Sequence, residues 1–218
     1  MIYVGGDGFA AASYAQTNFS FSKQDKKFLL KGLLPHPANI KKSFATHLSN
    51  ILHAPMYINA YEDNSFNKII RDAQDAINYK QIKYLILTFP NFFRGEILHH
   101  GNYVQFDFNT KDSFSQEIQP LIANYLAIYN IENEIKKFNS GIKELTKRLD
   151  QTKINYCFIM SNTNNMAIDS IHGNWLFDPK TQSIKSWSDS LSYTNDFGYM
   201  TPVGHLELAK LLIPYLTN

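Results

Sequence analysis

Only one cysteine, Cys157, stands in the chain, so no disulfide can close within it, and a reducing compartment is the expected setting. No run of about 18 apolar residues occurs, which excludes a bilayer-spanning helix. The first apolar stretch, Met1 to Val4, is cut off by Gly5-Gly6-Asp7, far short of a signal-peptide core. An excess of one charge is also missing. The 21 Lys and Arg nearly balance the 19 Asp and Glu, so the net charge is +2 and neither nucleic acid nor an anionic membrane is an expected partner. A dinucleotide loop fails as well, because Gly6-Asp7-Gly8 is followed by Ala11 where the third glycine belongs. No cofactor is expected.

What remains is a globular balance. Apolar residues reach 44%, enough to fill a core, and 218 residues read as one domain, 1–218. Met1 to Val4 reads as a buried strand, and Asp7 to Ala15 as a turn entering a helix. Asn18 to Asn39 is polar and lysine-rich, broken by Pro35 and Pro37, and reads as a loop insertion around 18–39. Ile40 to Leu52 has helical spacing, Pro55 to Ile58 is a strand, and Ser65 to Asn78 is a helix. Tyr84 to Thr88 is apolar throughout, as strands covered on both faces are. Pro90 to Gly95 reads as a loop, and Gly101 to Phe108 as a hairpin or edge strand. Ser115 to Gln151 is a long helical region, bent near Asn139-Ser140-Gly141. Ile154 to Met160 is a strand, Ser161 to Asn165 a polar loop, Ser170 to Ser192 irregular, and Pro202 to Leu216 the last helix.

Strands alternate with helices and no tight hairpins join the main strands. That pattern predicts a parallel sheet crossed right-handedly, a flavodoxin-like three-layer α/β/α architecture. Ligands of such sheets bind outside the carboxyl ends of the strands. Those ends are Gly5 to Gly8, Asn59 to Asn64, Thr88 to Arg94 and Ser161 to Asn165.

Four blocks near these ends carry a resemblance. The first is Gly5-Gly6-Asp7-Gly8-Phe9, directly after the first strand. The second runs from Asn59 through Asn64 and Ser65 to Arg71. The third is Thr88-Phe89-Pro90-Asn91-Phe92-Phe93-Arg94-Gly95-Glu96. The last is Asp196-Phe197-Gly198-Tyr199, followed by Gly204-His205. Their order and spacing resemble the SGNH (GDSL-type) hydrolases, in particular phage and marine-bacterial members, and the resemblance spans nearly the whole chain. It implies an SGNH hydrolase-like α/β fold and a cleft for carbohydrate or acyl-carbohydrate. It also implies a cytoplasmic or phage-associated location.

Against that family pattern the chain departs at three places. The nucleophilic serine position is Gly8, the histidine position is Tyr199, and the oxyanion-hole glycine position is Asn64; Asp196 keeps the aspartate. The resemblance makes Asn91 an oxyanion donor and Asp7 largely structural. It places Arg94 and Ser65 beside the cleft, and His205 at the later Gly-His pair rather than at the base. Three readings follow: a binding domain that has lost its chemistry; a working esterase or acyltransferase with a shifted nucleophile such as Ser65; or a structural part of a virus particle. Cys157 lies mid-strand and reads as an inert thiol. The histidines show no metal-ligand spacing, and His99-His100 are neighbours whose side chains rarely converge on one ion, so no metal is expected.

Overall fold

The computed structural model describes residues 1–15, 37–79, 81–109, 114–162, 168, 172–196 and 198–217. Strand β1 (Ile2–Gly6) is buried along its whole length. After it, α1 (Pro37–Ile40) is a single turn with proline at its first position, where the missing N–H costs nothing. Positions 37–39 of the expected loop are helical, and the rest of it, up to 36, lies outside the described residues. Helix α2 (Phe44–Leu52) starts at Ser43, whose Oγ accepts from Thr46 N at 3.2 Å. Strand β2 (Met56–Ala60) and helix α3 (Phe66–Tyr79) follow, then β3 (Tyr84–Phe89).

Strands β4 (Arg94–His99) and β5 (Asn102–Asp107) form an antiparallel hairpin, so Arg94 to Glu96 opens a strand rather than closing a loop. Helices α4 (Gln119–Ile128) and α5 (Ile131–Thr152) replace the single long helix. The break falls at Tyr129-Asn130, where Asn130 leaves the helical backbone and accepts from Asn133 N. No bend is needed at Gly141, which lies within α5 where Ile70 packs so close that a β-carbon would sit 2.9 Å from its Cδ1. Strand β6 (Asn155–Met160) precedes α6 (Ile184–Ser190), which the sequence left irregular although Ser183 and Ser186 form a reciprocal capping box. Helix α7 (Pro202–Thr217) is last.

The main sheet is wholly parallel, in the order β2-β1-β3-β6. Side chains alternate across it. Ile2, Val4, Ile86, Cys157 and Ile159 meet α2 and α7 through Phe44, Leu48, Leu208 and Leu212. Tyr3, Leu85, Leu87, Phe158 and Met160 meet α3 and α5 through Phe66, Ile69, Phe138 and Ile142. The result is the expected three layers. Many of the aromatics are spent here: Phe138 stands edge-on to Phe66, Phe89 and Phe92 with centroids 5.1–5.4 Å apart. Burial pushes the Cys157 thiol up to about 12, which keeps it protonated and unreactive. No described helix is long and apolar enough to cross a membrane.

The chain enters the sheet in the middle, with β2 on one side of β1 and β3 on the other. That reversal is the topological switch point, outside whose carboxyl ends such sheets bind their ligands. The segment from Asp7 to Ala15 follows β1 as a series of tight turns rather than the expected helix. Ala12 and Tyr14 adopt left-handed backbones (φ 52° and 56°), which interrupts any helical ladder.

Candidate functional site

The site is built around Asp7. Its Oδ1 accepts from Ser161 Oγ at 2.8 Å, Thr88 Oγ1 at 3.0 Å and Phe9 N at 3.3 Å. Thr88 ends β3 and Ser161 follows β6, so one carboxylate ties the carboxyl ends of three strands. Gly6 makes this contact available. A β-carbon there would lie 2.1 Å from Thr88 Oγ1, so only glycine lets that hydroxyl reach the aspartate. The other oxygen of Asp7 faces Arg94 Nη1 at 3.7 Å, and Arg94 Nε faces Asp107 Oδ2 at 3.7 Å. Both guanidinium nitrogens are buried with no hydrogen-bond partner among the described residues.

Glu62 and Asp63, just past the end of β2, add two more acids. Burial raises the pKa of each carboxyl; the Tyr199 hydrogen bond partly offsets this for Glu62, and Arg94 does so for Asp63. Tyr199 Oη donates to Glu62 Oε1 at 2.6 Å, and the Tyr199 ring leans on Phe9 and Tyr14 with centroids 5.5 and 5.0 Å away. Burial first, then the Glu62 charge, pushes this phenol well above its ordinary range, so it stays protonated and acts as a donor.

Gly8 lies directly under Tyr199. A β-carbon on Gly8 would sit 3.1 Å from Tyr199 Cε1 and 3.5 Å from its Oη. The aromatic ring therefore occupies the space that a serine side chain at position 8 would enter. The ring cannot swing aside freely, because Phe9 and Tyr14 pack it and Glu62 holds its hydroxyl. Gly8→Ser alone is expected to cost about 1–2 kcal/mol, and close to nothing in a Tyr199→Ala background. Chemical denaturation of the four proteins of that cycle measures the coupling; additive effects would separate the two positions.

The other sequence-derived candidates scatter. Asn64 is buried and turns back onto β1, its Nδ2 donating to Gly6 O at 2.9 Å. Ser65 is fully buried and caps α3, its Oγ accepting from Lys68 N. Asn91 Oδ1 closes a local turn by accepting from Phe93 N. Asp196 is exposed, with no hydrogen bond or ion pair among the described residues. His205 is buried against Phe44, and its Nδ1 accepts from Phe44 N at 3.3 Å. The site thus gathers Asp7, Gly8, Arg94 and Tyr199. Glu62, Asp63 and Asp107 join them without having been singled out. Glu62-Asp63 sit in a carboxyl-end segment, which was the available signal, but exposed loops carry acids so often that the pair does not stand out.

No family model matches the sequence, and neither does any curated protein. Solved structures do. An acetyl xylan esterase from the rumen bacterium Butyrivibrio proteoclasticus superposes with a TM-score of 0.52 at 11% identity, covering 99% of this chain and 63% of that one. A carbohydrate esterase family 2 enzyme with a carbohydrate-binding domain, from Corynascus thermopiles (Myceliophthora fergusii), gives 0.51 at 8% identity, covering 99% and 64%. The acetyl xylan esterase AlAXEase gives 0.50 at 8% identity, covering 98% of each chain. These likenesses establish the fold, which is SGNH hydrolase-like.

Proposed function

We propose that this chain is an SGNH hydrolase-like protein that does not run serine–histidine ester hydrolysis and keeps its cleft to bind a carbohydrate or acyl-carbohydrate. The observation that carries this reading is Tyr199 packed over Gly8 with its hydroxyl committed to Glu62. Position 8 carries no hydroxyl of its own, the Ser13 hydroxyl that lies 3.4 Å from where its β-carbon would stand has no histidine hydrogen-bonded to it among the described residues, and the histidine's place holds a protonated phenol. Loss of a nucleophile alone costs on the order of a million-fold in one well-studied hydrolase. Ser65 offers no substitute, since its hydroxyl is buried and caps a helix.

The ligand class rests on what lines the cleft and on the neighbours. Glu62 and Asp63, both partly exposed, supply hydroxyl acceptors, and the half-buried Tyr14 and Tyr199 supply ring faces, while Asp7 and Arg94 lie beneath them. The proteins sharing the fold are named for acetyl xylan and carbohydrate esters. Purified protein is expected to hydrolyse p-nitrophenyl acetate at the buffer rate and to bind acetylated xylo-oligosaccharides in calorimetry. Glu62→Gln and Asp63→Asn should each weaken that binding about tenfold, the worth of one lost charged hydrogen bond. Gly8→Ser with Tyr199→His should gain measurable ester turnover. Native turnover abolished by Ser65→Ala would sink the loss of catalysis, and no saccharide binding would sink the ligand assignment.

A further inference from the structure

The β4–β5 hairpin ends in a second cluster of chemistry-bearing side chains. His99 is five residue steps along β4 from Arg94, so the cluster lies roughly 17 Å along the hairpin from the cleft. We propose that His99, His100 and Glu117 form a binding site for a divalent transition-metal ion of the zinc class. The residue types suit it: two imidazoles and a carboxylate, with further positions left to water, is a recurrent zinc set.

The backbone explains why adjacent histidines converge, against the expectation from their sequence. Within a strand they would point to opposite faces. The hairpin closes through His100 and Gly101, both at positive φ (47° and 77°), the arrangement of a two-residue turn that usually takes Asn-Gly. The left-handed backbone at His100 cancels the alternation, and the two rings lie with centroids 4.1 Å apart.

Glu117 comes from a different element. The turn leading into α4, in which Ser115 O accepts from Ile118 N and Gln119 N, brings the carboxylate over the hairpin tip. Its Oε1 lies 3.3 Å from His99 Nε2 and 3.0 Å from His100 Nε2. One ligand atom from each residue lies within 4.8 Å of the other two. A tetrahedral ion with bonds of about 2.0 Å requires donor atoms about 3.3 Å apart, which the two Glu117 separations match, while the two imidazole nitrogens lie within 4.8 Å and close by side-chain rotation. His99 is mostly covered (18% exposed), while His100 and Glu117 are open to solvent (77% and 64%). The site is shallow, water completes the coordination, and the affinity belongs in the micromolar range. Bound metal would staple the hairpin tip to the start of α4.

The test uses untagged protein, zinc chloride in calorimetry near pH 7.5, and cobalt(II) absorption as a second readout. One equivalent should bind with a micromolar dissociation constant, and cobalt should give the intense visible bands of a low-coordinate site. His99→Ala, His100→Ala and Glu117→Gln should each weaken binding about tenfold or more, while His53→Ala, an exposed histidine on another element, should leave it unchanged. Zinc should raise the melting temperature of the parent and of His53→Ala only. No saturable binding below about 1 mM would overturn the site, leaving an ordinary ion pair. Binding that ignores the three substitutions, or falls equally in His53→Ala, would overturn it as well. The saccharide assays do not bear on this site, so the two readings fail separately.

Discussion

Asp7→Ala is expected to lose about 3–5 kcal/mol of folding stability, a large share of the 5–15 kcal/mol typical of a domain. The loss follows from what the carboxylate holds. Ser161 Oγ, Thr88 Oγ1 and Phe9 N donate to one of its oxygens, and the other faces a buried guanidinium. Truncation leaves two buried hydroxyls with one partner fewer. It also leaves Arg94, already without hydrogen bonds at Nε and Nη1, without its Asp7 partner and with only Asp107 and the more distant Glu62 and Asp63 to offset its charge. Each unsatisfied neutral group costs about 1–3 kcal/mol, and the under-compensated cation costs more.

Asp7→Asn separates the two contributions. It retains an acceptor for the hydroxyls and removes the charge that faces Arg94, so it should fall between parent and Asp7→Ala. Arg94→Met in the Asp7→Asn protein should recover part of the loss, because a buried pair removed together costs less than either half removed alone. Urea midpoints of the parent and these three variants measure the series. An Asp7→Ala protein within 1 kcal/mol of the parent would show that the strand ends hold together without this residue. The position therefore has a structural reason that stands whether or not the cleft does any chemistry.

Much of this site was legible in the sequence because it depends on local pattern. The strand–Gly-Gly-Asp-Gly block places Asp7 and Gly8 at the end of β1, and the Asp–x–x–Tyr block brings Tyr199. The parallel sheet was legible for the same reason: Tyr84 to Thr88 and Ile154 to Met160 are apolar on both faces. Long-range pairing was not legible. Tyr199 and Glu62 are 137 residues apart, and nothing local marks Glu62 as a partner. Strand β4 was hidden because it opens on Arg94-Gly95-Glu96, whose charges are satisfied by Asp107 from β5 and by Arg71 from α3. The helix break was assigned to Asn139-Ser140-Gly141, where tertiary packing tolerates glycine, and missed at Tyr129-Asn130, where asparagine caps. The approach of the His99 and His100 rings was not legible from their adjacency, because nothing local marks the left-handed backbone that His100 adopts.

The three departures from the SGNH pattern also come apart on physical grounds. Gly8 and Tyr199 belong together, since the ring fills the volume a side chain at position 8 would need. Asn64 is separate: its amide holds the backbone of β1 by donating to Gly6 O. Packing thus couples Gly8 with Tyr199 and leaves Asn64 independent of both.

His205 should make the protein acid-sensitive in a window that can be stated in advance. Burial, with a smaller push from His47, lowers its pKa to about 3 from an ordinary value near 6.5. Its Nδ1 accepts from a backbone N–H, which can only donate, so the neutral ring carries its proton on Nε2. Protonation would place a second hydrogen on Nδ1, facing the Phe44 N–H. The unfolded chain takes up that proton below about pH 6.5, and the folded chain does not until about pH 3. The stability contributed by this residue is thus fully present above pH 6.5 and drains as the pH falls, by about 1.4 kcal/mol per unit and about 2 kcal/mol by pH 5. Glu62 and Asp63 act with the opposite sign, because their raised pKa values favour the folded state at low pH and withdraw that support as pH rises. Comparison with His205→Gln cancels them, along with His47. The variant starts less stable, since it disturbs the contact between α2 and α7, but its urea midpoint should fall less steeply than the parent's from pH 6.5 to 5. Equal slopes would mean that the ring accommodates its proton in the folded state. An acceptor bound to the start of α2 and unprotonated across that range serves as a helix cap, which places His205 of the Gly204-His205 pair in the core and apart from Tyr199.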